Sequence, residues 1–115
     1  MPKPSNCIPV ADAKQLQANW MSTRAVDIER GMGSKDVCAV TFNIDQLQEF
    51  IDYVKDGSSS PNPGIRIYFA AYDDEKSDKA TCFLCPTTSD AASADNDYSM
   101  EPLNLGSGLW PPRNY

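Results

Sequence analysis

The sequence predicts one small α+β domain, two or more helices packed on a small, mainly antiparallel sheet with an irregular C-terminal strap. Three observations carry that expectation. Two segments repeat their apolar residues every three or four positions, from Val10 and from Ile44. A third, from Ile65 to Tyr72, alternates at a period of two. The chain of 115 residues and 12.6 kDa is the size of a single core, for which area scaling gives about 6,200 Å² of folded surface. The expected organisation is an arm at 1–7, an α+β domain at 8–87, and a polar linker with an aromatic strap at 88–115 that belongs to the same domain.

The opening residues carry Pro2 and Pro4 and no apolar period, so order is expected near Ile8. Val10, Ala13, Leu16 and Trp20 then form one stripe of a helix. Pro9 suits its start, where no amide partner is lost, and Ser22-Thr23 its end. From Thr23 to Asp36 the period fails and Gly31, Gly33 and Ser34 read as a connector. Cys38, Val40 and Phe42 alternate with Val37, Ala39 and Thr41, which predicts an inner strand with both faces covered.

Asn43 is placed to cap the next helix, with Gln46 reaching back to the cap and Phe42 and Leu47 as a hydrophobic staple. Ile44, Leu47, Phe50, Ile51 and Val54 make its buried stripe, and Gly57 marks its stop. Residues 58–64, rich in Ser and Pro, can only be a surface loop. In the alternating run, Ile65, Ile67, Phe69 and Ala71 are expected to face the core, leaving Arg66, Tyr68, Ala70 and Tyr72 on a polar-aromatic face. A charged turn at Asp73–Lys79 leads into a second strand, Ala80–Thr87, closing an antiparallel hairpin. Residues 88–97 are too polar to bury much surface, and Tyr98–Tyr115 regains Leu109 and Trp110.

Composition narrows the function classes. Sixteen acidic against ten basic residues give a net charge of -6, which repels phosphate backbones and anionic headgroups, so neither nucleic acid nor membrane is an expected partner. The first residues lack the apolar run of an export signal, which leads us to expect a cytoplasmic protein whose Cys7, Cys38, Cys82 and Cys85 remain thiols. There is no histidine, which removes Ser-His and Cys-His catalysis and the commonest neutral metal ligand.

Four local patterns bear on chemistry. Cys82-Phe83-Leu84-Cys85 has the spacing of zinc and thiol-exchange motifs, but in a strand its sulfurs point to opposite faces. Gly31-Met32-Gly33-Ser34-Lys35 resembles a phosphate loop without its spacing. Asp73, Asp74, Glu75 and Asp78 lack the grammar of a calcium loop and the apolar surroundings of an acid-base pair. Arg66, Tyr68 and Tyr72 share one strand face, either as an interface patch or as a face covered by a helix or the strap.

The helix opened by Ile8-Pro9-Val10-Ala11-Asp12-Ala13, the capped central helix, and the strand Gly64-Ile65-Arg66-Ile67-Tyr68-Phe69-Ala70 together resemble small uncharacterised bacterial proteins, largely from Bacteroidetes, that carry a Gly-Ile-Arg-x-Tyr strand after a central helix. The likeness spans 8–87. It implies a small cytosolic α+β protein and transfers no functional residue.

The expectation is therefore a non-catalytic protein-binding module without cofactor or metal, engaging a protein partner or itself through Arg66, Tyr68, Tyr72 and Trp110. A small inhibitor or immunity-type protein fits that description. The alternatives are a thiol or zinc protein built on Cys82 and Cys85, and a small-molecule binder on the Arg66, Tyr68 and Tyr72 face.

Overall fold

The computed structural model describes residues 2–104 and the backbone of 107–108. Its elements are α1 (Val10–Ser22), α2 (Arg24–Met32), β1 (Val40–Thr41), α3 (Ile44–Gly57), β2 (Gly64–Ala71), β3 (Ala80–Thr87) and β4 (Ser107–Gly108). The α+β class is as the sequence predicts, and the sheet pairings are antiparallel. Among the described residues no helix is long and apolar enough to cross a membrane.

The hairpin is the frame. Gly64 to Ala71 pairs with Thr87 to Ala80 in an unbroken register, Ile67 opposite Leu84 and Arg66 opposite Cys85. Its turn is tied by Asp74, whose carboxylate accepts the N–H groups of Lys76 and Ser77 at 2.8 and 3.0 Å, while the Ser77 hydroxyl accepts from Lys79 N–H. Such short Asp and Ser side chains bond their own backbone two or three residues on, which is why a charged stretch closes a turn. On its far edge β3 carries two isolated bridges, one where Leu84 and Leu103 exchange both backbone bonds at 2.9 and 3.0 Å and one between Thr87 and Asn96.

Helix α3 packs against that frame. Asn43 caps it, its carboxamide oxygen accepting from the N–H groups of Asp45 and Gln46 at 2.8 and 3.2 Å. Phe50 and Val54 from α3 meet Leu84 and Met100 to form the core, with Phe42, Leu47 and Leu103 around it. The staple pair Phe42 and Leu47 thus closes on the core as expected, whereas Ile44, at the exposed first position of α3, lies outside it. Gly57 is the last helical residue and Ser58 the cap. Its lack of a side chain admits Met100, whose sulfur would sit 2.7 Å from a Cβ there.

Three expectations are corrected. The connector at 23–36 is largely helix α2, stopped by Gly33 in the left-handed conformation (φ 80°) with its N–H donated to the Glu29 carbonyl at 2.8 Å. The inner strand at 37–42 shrinks to Val40 and Thr41, paired only with β4 among the described residues. The stripe Val10, Leu16, Trp20 stays exposed, and the half-buried side of α1 is Ala13, Gln17 and Met21 instead. Neither α1 nor α2 contains a fully buried residue. Segment 35–38 lies beside them around a gap of about 160 Å³, and Asp36 joins it to β3 by accepting the N–H groups of Val37 and Ala80 at 2.7 and 2.8 Å.

Two glycine substitutions test the packing. A Cβ at Gly64 would lie 2.5 Å from the Thr87 hydroxyl and 2.8 Å from the Ser89 carbonyl, so Gly64→Ala is expected to lower unfolding free energy by about 1–3 kcal/mol. Gly31 lies in helix α2 with nothing within 4 Å of a Cβ, so Gly31→Ala should raise it by about 0.5–1 kcal/mol. Urea unfolding of both variants checks the pair of signs.

Candidate functional site

The two faces of β2 have different fates. On the face carrying Arg66, Tyr68 and Ala70, segment 88–98 folds back across the hairpin, held at its ends by Thr88 N–H to the Asp95 carbonyl (2.9 Å) and Asp97 N–H to the Pro86 carbonyl (2.9 Å). A guanidinium brought under a loop needs acceptors, and this one finds them. Arg66 donates through Nη1 to Asn96 Oδ1 at 2.6 Å and through Nη2 to the carbonyls of Ala92 and Ala94, both at 2.9 Å. The other end of the same carboxamide, Asn96 Nδ2, donates to the Tyr68 hydroxyl at 2.7 Å and the Tyr98 hydroxyl at 3.3 Å. Tyr68 also stacks on its cross-strand neighbour Phe83, ring centroids 5.2 Å apart.

Of the residues singled out in the sequence, Arg66 and Tyr68 are therefore brought together around Asn96, half-buried and with their polar groups engaged inside the chain. Tyr72 is exposed near the hairpin end and donates its hydroxyl to Asn104 Oδ1 at 3.3 Å. Trp110 lies outside the described residues. Asn96 was missed. The available signal was that a strand arginine beside tyrosines needs carbonyl partners, and the Ser, Ala, Asp and Asn run after the hairpin can supply them. Beside this clamp, Tyr68, Phe83, Asn96, Tyr98, Met100 and Pro102 border an open cleft of about 400 Å³.

The cysteine pair is placed as its strand position dictates. Cys82 is opposite Phe69 and Cys85 opposite Arg66, so the sulfurs leave opposite faces of β3. Burial pushes the Cys85 thiol up, the Arg66 charge pulls it part of the way back, and Asp97 adds to the rise. Its proton is directed to the Pro86 carbonyl at 3.3 Å. This favours an unreactive thiol over a thiolate nucleophile or ligand. Among the described residues no three of Cys, Asp and Glu converge as metal ligands. The glycine-lysine stretch at 31–35 sits at the C-terminal end of α2, the end of a helix that repels phosphate.

The opposite face reverses what the alternation predicts. Ile65, Ile67 and Phe69 lie on the same side of the hairpin as Leu84, but α3 covers Leu84 and leaves β2 bare. Leu84 is 5 % exposed, while Ile67 beside it is 60 % and Phe69 93 % exposed. The expectation that Phe69 belongs to the core is thus corrected. The physical reason is that Arg66 and Tyr68 are satisfied under segment 88–98, so the polar side could be covered, while on the apolar side α3 sits over β3.

The edge of β2 is open as well. Tyr72 N–H donates to the Lys79 carbonyl at 3.0 Å, one rung past the paired strands. Antiparallel bonding alternates, so Arg66, Tyr68 and Ala70 direct their backbone groups at β3, while Ile65, Ile67, Phe69 and Ala71 direct theirs outward. Among the described residues no strand pairs there. The exposed apolar side chains and the outward backbone groups therefore belong to the same four residues.

The thiols give a test of this geometry. Timed alkylation read by peptide mass should modify exposed Cys7 first and buried Cys85 last, at a rate set by unfolding. Because the folded Cys85 thiol holds its proton more tightly than the unfolded one, its contribution to stability is present below the unfolded thiol range. That contribution falls as pH rises through the higher folded value. The loss of stability as pH rises through and above the ordinary thiol range should be smaller in Cys85→Val.

No family model matches this chain, and neither the curated proteins nor the solved structures contain a significant match to it.

Proposed function

We propose that the chain is a non-catalytic protein-binding module whose contact surface is the bare face and open edge of β2. The observation that carries the reading is Phe69, 93 % exposed in the middle of a strand and flanked on its face by Ile67. A lone exposed apolar residue is ordinary, but a stripe of large ones on one strand is a contact surface or an aggregation hazard. Edge strands are normally blunted by proline, lysine or a bulge. β2 contains neither residue and its register is unbroken.

The acidic balance favours a neutral or basic protein over a polyanion, and the charged turn at 73–79 sits at the end of the same strand. A small inhibitor or immunity-type protein is one module of this kind. We take it to act in the cytoplasm, where its four cysteines stay thiols.

If β2 serves a partner and not the chain's own core, Phe69→Lys and Ile67→Lys should each change unfolding free energy in dilute protein by no more than about 0.5 kcal/mol. Leu84→Ala should cost about 2–5 kcal/mol. A photo-crosslinking residue at Phe69 should give a protein adduct in native cells, and the same residue at exposed Asp52 on α3 should not. A large stability loss at Phe69 would make it part of the fold and remove the reading.

A further inference from the structure

We infer that the strand received at the β2 edge is β2 of a second copy, paired antiparallel about a twofold axis at Ile67. This rests on the reading of β2 as the contact surface and adds its occupant. In a symmetric pairing, residues with outward backbone groups must lie opposite one another, here Ile65, Ile67, Phe69 and Ala71. Centring on Ile67 meets that condition and places Ile67 opposite its own copy, with Ile65 opposite Phe69 on either side. Every large apolar residue of the stripe then faces another, two of the three pairs being aromatic against β-branched.

The opposite face also matches itself. The same register sets Arg66 of one copy beside Tyr68 of the other, twice. The guanidinium is already engaged by Asn96 and the Ala92 and Ala94 carbonyls, so the pairing sets no charge without acceptors at this seam. Charge does not oppose the pairing despite the net -6 of each chain. The antiparallel sense puts Asp73 and Asp74 of one copy at Pro61 and Ser60 of the other, so the two acidic turns lie at opposite ends of the four-stranded sheet.

The test is a charge exchange at the axis. Sedimentation equilibrium of the full chain should show a concentration-dependent species of twice 12.6 kDa. Ile67→Lys and Ile67→Asp, each folded by circular dichroism, should weaken self-association on the order of a hundredfold by setting like charges opposite one another. Mixing the two should restore the dimer. A wild type that stays monomeric at millimolar concentration, or a dimer indifferent to charge at Ile67, would overturn the inference. Alkylation of Phe69→Cys in dilute protein separates this failure from that of the wider reading. A fast thiol with no dimer overturns the second copy and leaves the contact surface standing, whereas a slow thiol in the monomer overturns both.

Discussion

The pairing of β2 with β3 is the constraint on which the other contacts depend, because α3, segment 88–98 and Leu103 each attach to one side or edge of that ladder. Leu84 shows how. Its backbone holds Leu103 along one edge, its side chain enters the core with Phe50, Val54 and Met100, and its neighbour across the hairpin is Ile67. A two-stranded ribbon has two faces and two outer edges, and the described residues cover only some of them. Helix α3 takes one face over β3, segment 88–98 takes the other, and Leu103 and Asn96 bridge to the β3 edge. Among the described residues the β2 edge, with the apolar half-face beside it, has no cover.

The polar clamp explains why the uncovered side is the greasy one. Burying a guanidinium without partners would be prohibitive, but three acceptors within 2.9 Å make the cover over Arg66 favourable. Asn96 is the hub, accepting from Arg66 and donating to two tyrosine hydroxyls. Segment 88–98 is committed to that face, and on the apolar one the two buried residues of α3, Phe50 and Val54, meet Leu84 and Met100. The core is correspondingly small, and the α1-α2 pair, without a buried residue of its own, is held to the hairpin by Asp36 and by Lys79, whose Nζ donates to the Lys35 carbonyl at 3.0 Å.

Much of the local structure was legible in the sequence because it is set by local chemistry. Asn43 announces the start of α3 through its side-chain oxygen, and the period-two run with a charged turn announces the hairpin. Helix α2 escaped because Gly31 lies within it and its apolar residues are few, so the signal of a glycine turn outweighed that of a short helix whose stop is Gly33. The faces of β2 escaped for a different reason. Alternation shows that a strand has two unlike sides, and hydropathy names the greasy one, but which side the protein covers depends on residues thirty positions away. The same limit applies to the site. Arg66 and Tyr68 stand out by type and spacing, and they do converge, on an asparagine that only the fold brings to them, while Phe69, apolar and on the greasy side of the alternation, stands 93 % exposed.

Backbone groups alternate in direction along β2, and amide hydrogen exchange at a concentration low enough to keep copies apart reads that alternation residue by residue. Slow exchange is predicted at Arg66, Tyr68, Ala70 and Tyr72, whose amides point at β3, and fast exchange at Ile65, Ile67, Phe69 and Ala71, whose amides point away. Equal protection of both sets in the isolated chain would contradict it, since some part of the chain would then already occupy the edge.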